Sequence, residues 1–220
     1  MASTTTATTA SAKATAKPAR RPPADKYDER RNQLAESALQ TLGELGYARA
    51  SLREIANNSE FSHGVVHYYF QDKLELIVYC VRYYKKQCVT RYDGVVADST
   101  SADELIDAFA AKLVETVHEE APMHRLWYDL RTQSMFEEQL REAVLQIDGT
   151  LEEMIWRVVS RYAELAGTTP RVTPSAAYGL LDGVFQQALL GHLTGNTDSL
   201  DELVVQVHDL MPLLLRDRAA

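Results

Sequence analysis

The stretch SHGVVHYYFQDK, Ser62 to Lys73, gathers side chains that hydrogen-bond readily to anions and base edges. His63, His67 and Tyr68 donate to phosphate oxygens or to the edges of bases. Val65 is small and apolar, suited to a thymine methyl, and Gly64 adds no bulk where a second surface must come close. Lys73 falls where a new helix should begin, so a phosphate there would meet an ammonium and free backbone N–H groups together. His63 and His67, four apart, also have the spacing of a metal pair, but no third ligand stands nearby in sequence. Contact with DNA, or plain solvation, is therefore the expectation, with no metal and no cofactor.

Three helices must position this segment. Leu34, Ala38, Leu42 and Leu45 form one helical face, and Gly46 ends it. Helix one is expected over 28–45, helix two over 52–58 and helix three over 63–70. Ser51-Leu52-Arg53-Glu54 reads as a capping box for the second. The connector, 59–62, has the length of a helix-turn-helix turn. Neither short helix would persist alone in water. They hold only if Leu52, Ile55, Ala56, Phe61, Val66 and Phe70 pack on helix one.

The run from Arg31 to Leu76 resembles the N-terminal DNA-binding domain of TetR-family transcriptional regulators. Gly46-Tyr47, Ser51 before Arg53-Glu54-Ile55-Ala56, Ser62-x-Gly64, Tyr69-Phe70 and Lys73 carry the likeness over about 45 residues. The resemblance implies an all-helical homodimer that represses transcription from a palindromic operator and is released by a small molecule. Ser62, His67, Tyr68 and Lys73 match family positions that usually touch DNA. With Arg53, His63, Gly64 and Val65 they form the expected DNA-binding set. Two positions depart from the pattern: Glu60 stands where glycine is common, and His67 where tyrosine is usual. Glu60 raises the expectation of a non-glycine residue at positive φ in the turn. It also keeps alive the alternative of a helical ligand- or protein-binding dimer that has lost DNA binding.

The remainder also reads as helical, giving nine or ten helices in all. Ser-x-x-Glu boxes at Ser101, Ser134 and Ser199 and Thr173-Pro174 mark helix starts. The apolar series Leu140 to Leu165 predicts one long helix, with Gly149-Thr150 as a point of kinking. The expected fold is all-α: a tail over 1–25, a helix-turn-helix domain over 26–72, and a larger helical effector-binding and dimerisation domain over 73–220. Aromatic and methionine residues of the second half are mostly core, yet such residues with a few polar groups also wall a pocket. Tyr84, Cys88, Phe109, His124, Trp127, Arg131, Met154 and Phe185 are the expected ligand-binding residues. The effector should be partly apolar. Tyr178, Leu181, Phe185, Ala188 and His192, with Leu203, Val207, Leu210 and Leu214, form two stripes expected to make the dimer interface, with intrachain packing as the competing reading.

Composition fits this reading. The 220 residues are 45% hydrophobic and 25% charged, with net charge −8. Residues 1–90 hold 13 Lys/Arg against 9 Asp/Glu, and residues 91–220 hold 10 against 22. The basic half points weakly to a polyanion partner. The Thr/Ala-rich start, with Lys13, Lys17, Arg20 and Arg21, is expected to be disordered. A basic arm along DNA and a solvated tail both fit it, and a transit peptide would share its composition. No apolar run suits a membrane helix. Cys80 and Cys88 lie eight apart in one expected helix, too far for a bond, so a reduced, cytoplasmic protein is expected. No nucleophile elbow, phosphate loop or zinc-protease motif suggests an enzyme.

Overall fold

The computed structural model describes residues 24–217, so all but the last two residues of the expected 1–25 tail lie outside the described residues. Among the described residues nine helices run in order: α1 Ala24–Arg49, α2 Leu52–Asn57, α3 His63–Tyr69, α4 Lys73–Cys88, α5 Asp93–Asp98, α6 Ala102–Gln133, α7 Glu138–Leu165, α8 Pro174–Leu193 and α9 Ser199–Leu213. Among the described residues the one β feature is an isolated bridge, Pro170 with Leu215. No described helix is long and apolar enough to cross a membrane.

The first three helices form as their residues dictate. Leu34, Ala38 and Leu42 of α1 are buried, and Ile55, Phe61, Val66 and Phe70 close over them. Each such large side chain contributes about 1.5–3 kcal/mol on burial, which offsets the cost of nucleating two helices of only six and seven residues. Ser51 caps α2 by accepting from Glu54 N at 3.2 Å, and Ser62 caps α3 by accepting from Val65 N at 3.4 Å. Asp72 caps α4 through Glu75 N at 2.8 Å. Glu60 needs no special backbone: among the described residues only Gly46, Gly167 and Gly195 have positive φ, so the expected strain in the turn is absent.

Several sequence expectations are corrected. Ser134 is not a helix start: it ends α6, and its hydroxyl donates to Arg131 O at 2.7 Å. The α7 cap is Glu137, without a side-chain bond. Ser199 is buried and donates to Asn196 O at 2.9 Å, so Asp198 takes the cap position of α9. In both cases the serine sits in a tight interhelix turn where backbone carbonyls compete for its hydroxyl. The Gly149-Thr150 kink is also absent; α7 runs on, with the Thr150 hydroxyl bonded back to Ile147 O. The kinked helix is α6, non-helical at Glu120 just before Pro122. Proline lacks the N–H for the helical ladder and crowds the preceding turn.

That kink meets the end of α1. A Cβ on Gly43 would stand 3.1 Å from Pro122 Cβ and collide with the end of Met123. Gly46 lies at φ 74°, ψ 176°, a region that glycine alone occupies freely, and it breaks α1 so that Tyr47 N donates to Asp129 Oδ2 at 2.7 Å. Gly46→Ala should therefore destabilise the fold by about 1–3 kcal/mol. A denaturant midpoint equal to wild type would refute this account of the α1 break.

Candidate nucleic-acid interface and ligand cavity

The outer side of α3 carries His63, Gly64, His67 and Tyr68, all exposed, and Arg53 of α2 is exposed beside them. Val65 is corrected to half-buried, because it packs against the core as well as facing outward. The Ser62 hydroxyl accepts the capping bond, so its proton stays available to an acceptor. His63 and His67 approach Nε2 to Nε2 at 3.1 Å, one imidazole donating to the other. No group of three potential metal ligands gathers among the described residues. Tyr68 stacks edge-on against Tyr69 and Tyr27, which holds its phenol in place. Lys73 lies over the Tyr47 ring at 4.5 Å and donates to Ala48 O at 3.4 Å. The ammonium therefore sits against the end of α1, at the start of α4.

The head is tied to the other helices by few, well-placed bonds. Arg31 is held between Phe70 and Tyr79 and bonds Glu75 at 2.7 Å. Tyr79 donates to Asn32 at 2.7 Å, and the Tyr47 hydroxyl to Glu137 at 2.5 Å. Burial, then that Glu137 bond, pushes the Tyr47 phenol up to about 12. Arg125 donates to Gly43 O. Asp129 is a bond acceptor at this joint.

The second site is a small, partly open cavity of about 60 Å³ between α4, α6, α7 and α8. Of the expected ligand residues, His124, Trp127, Met154 and Phe185 line it. Tyr84, Cys88, Phe109 and Arg131 do not line it. Phe109 is spent on core packing edge-on to Tyr92. Cys88 is buried beside Arg91. Tyr84 stands behind His124, and Arg131 behind Asp182.

Sequence reasoning missed Lys85, Tyr92 and Tyr128 on this wall, together with Leu151, Ile155 and Asp182. Lysine and aspartate read as surface residues, and only the helical offset of Lys85 from Cys88, one turn along α4, could have placed it inward. Tyr178 and Leu181, expected at a dimer interface, also line the cavity. Leu203, Val207 and Leu214 are buried in the chain's own core, and Phe185 and Ala188 are buried too. Within the chain, much of both stripes packs where α8 and α9 meet each other, α6 and α7. His192 and Leu210 remain half-buried.

The polar groups of the cavity divide sharply. Asp182 accepts from Arg131 at 2.5 Å and from the Tyr128 hydroxyl at 2.8 Å. Asp148 accepts from the Tyr178 hydroxyl at 2.7 Å and pairs with Arg131 at 3.3 Å. Glu120 accepts from Arg91 at 2.6 Å and from Tyr84. Both oxygens of Asp148 and of Asp182 are engaged, while Glu120 takes both of its bonds on Oε2. Lys85, 3% exposed, has no carboxylate or carbonyl in bonding reach among the described residues, and its ammonium rests over the rings of Trp127 and Tyr84. Burial lowers it to about 8. Burial, then the nearby charges of Lys85 and Arg91, holds His124 well below its usual value, so that imidazole is neutral.

The helix-turn-helix head faces outward on one side, and a partly open cavity lies between the helices of the other. Residues 34–80 match the family model described as "Bacterial regulatory proteins, tetR family". The HTH-type transcriptional regulator BetI of Burkholderia thailandensis is 27% identical over 86% of this chain and 95% of its own length. The TetR transcription regulator of Haloarcula marismortui superposes with a TM-score of 0.69 at 18% identity, over 86% of this chain and all of that one. A regulator from Saccharomonospora viridis, solved in complex with choline, superposes at 0.67 and 18% identity, over 87% of this chain and all of that one. The TetR-family signature thus lies in residues 34–80, and the chain over most of its length is similar to TetR-family regulators.

Lys85 carries a measurable signature. At pH 7 it is charged in both folded and unfolded chains, so its desolvation penalty stands in full. As pH rises through about 8 toward the ordinary lysine value, the folded state loses the proton first, and stability should rise. Lys85→Met should be more stable at pH 7, by on the order of 1–3 kcal/mol, and should lack that rise. Denaturant unfolding of both proteins at pH 7 and pH 9.5 tests this. An equal pH response in the two would show that the ammonium is not desolvated.

Proposed function

We propose that this chain is a dimeric repressor that binds a palindromic operator and is released when a small molecule enters the cavity. The observation that carries the reading is the exposed face of α3, capped by Ser62 and followed by Lys73 at the start of α4. Residues 26–72 act as the DNA-binding domain and residues 73–220 as the effector-binding and dimerisation domain. In a dimer, two α3 helices would enter successive major grooves about 34–36 Å apart. Arg53 and Lys73 supply phosphate contacts. Ser62, Gly64, Val65, His63, His67 and Tyr68 supply backbone approach and base readout.

The dimer face on this reading is the outer side of α8 and α9 rather than the stripes expected from sequence. Leu180, Leu190, Val205 and Leu213 are exposed apolar residues there, and Gly179 and Gly183 leave open space for a second helix. The choline complex of the Saccharomonospora viridis protein supports a small-molecule site in this helical architecture.

The coupling runs through α6. Beyond its kink the same helix turns His124 and Trp127 to the cavity and Arg125 and Asp129 to the end of α1. A ligand that shifts this segment would reset the spacing of the two heads, and only to the extent that it binds one arrangement better.

In vitro selection of random duplex DNA on the full-length protein should return a palindrome with half-sites about one helical turn apart. Lys73→Ala should weaken binding to all sequences and reduce the salt slope by about 1, while His67→Ala should relax choice at one position. Absence of any enriched sequence from a stable dimer would favour a helical ligand- or protein-binding dimer that has lost DNA binding.

A further inference from the structure

Resting on the effector-cavity reading above, we propose that the effector is a small amphiphilic monoanion, a carboxylic acid with an apolar body, whose carboxylate binds Lys85 Nζ. The argument is one of unmatched donors. Buried polar groups in folded proteins are almost always partnered, and a buried charge without a partner is costlier still. One donor on this cavity wall, Trp127 Nε1, breaks that rule, and Lys85 Nζ lies beside it without a hydrogen-bond partner in the protein. Lys85 Nζ has only the faces of Trp127 and Tyr84, with ring centroids at 5.2 and 5.5 Å. Trp127 Nε1 is buried and has no hydrogen-bond partner. Both are donors, and neither has an acceptor.

The acceptors nearby are already engaged. Asp182 is held by Arg131 and Tyr128, and Glu120 by Arg91 and Tyr84. His124 shares its Nε2 with the Tyr84 hydroxyl at 3.3 Å. The wall therefore lacks one acceptor and one negative charge, and a carboxylate supplies both. Its two oxygens can take Nζ and, where the geometry allows, Nε1. Leu113, Leu151, Met154, Ile155, Leu181 and Phe185 supply apolar lining that suits an alkyl or aryl body. A cation such as choline would instead meet an ammonium, with no unpaired carboxylate to hold it.

Lys85 would then be a residue kept for binding at a cost to stability. A merely structural lysine would stabilise the empty protein, and its removal would weaken the fold.

Calorimetry on the full-length chain near pH 7 tests this with hexanoate, octanoate and 3-phenylpropanoate, each beside its own primary amide, and with choline. At least one acid should bind tenfold or more tightly than its amide. Lys85→Met should abolish that preference while leaving amide binding within about twofold and raising the thermal midpoint. Lys85→Gln provides a second variant should the first fail to fold. The proposal is overturned if no acid outbinds its amide, if the preference survives in both variants, or if choline outbinds every acid. Binding of an amide or choline without acid preference would leave the effector cavity standing and refute only its charge. Failure of operator selection would be a separate result, since ligand binding is read here without DNA.

Discussion

The close approach of α1 to the kinked part of α6 is the contact on which the arrangement of the head depends. Gly43 must lack a side chain for Pro122 and Met123 to come so near. Gly46 must take a backbone conformation barred to other residues for Tyr47 to reach Asp129. Pro122 must bend α6 for both to meet it. Three residues notable for what they omit, two Cβ atoms and one N–H, thus shape the contact between α1 and α6. Interiors packed at crystal-like density transmit small shifts rather than absorb them. A joint built on backbone contact is well suited to pass motion from one side to the other.

The cavity is unusual in its internal accounting of charge. Arg131 lies between Asp148 and Asp182, each also bonded to a tyrosine, and Arg91 neutralises Glu120. These groups form charge-paired clusters around the wall. Lys85 stands outside them, balanced only by aromatic faces, whose attraction for a desolvated cation is roughly 2 kcal/mol or more. That is a modest return for burying an ammonium, and it marks the position as one retained for something other than stability.

The head was readable from sequence because its signals are local. Capping serines, a four-residue connector and a helical apolar stripe act over a few residues, and Leu52, Ile55, Phe61, Val66 and Phe70 all proved buried as their spacing required. The cavity was half readable. His124, Trp127, Met154 and Phe185 stand on its wall, but Lys85 and Asp182 gave no inward signal, because burial of a charged residue depends on helices distant in sequence. The α8 and α9 stripes were ambiguous for a related reason. Periodicity reveals that Leu203 and Val207 face something apolar, but not whether that surface belongs to the same chain. The Ser134 box failed because that serine ends α6, whereas Ser199 does mark the start of α9 but gives its hydroxyl to Asn196 O instead of capping the helix.

The short β-bridge near the C-terminus gives the last two helices a fixed frame. Arg171 N donates to Leu214 O at 2.8 Å, Arg216 N to Thr169 O at 2.9 Å, and the Thr168 hydroxyl to Arg216 O at 2.8 Å. At the opposite end, Gly191 lies against Ser199 so closely that a Cβ could not fit, and Asn196 N bonds Gly191 O at 2.9 Å. The α8–α9 hairpin is buckled at both ends, like a strap fastened at each buckle. Neither helix can slide along the other without undoing one fastening. Whatever motion α6 makes when the cavity fills, it makes against a stationary anvil.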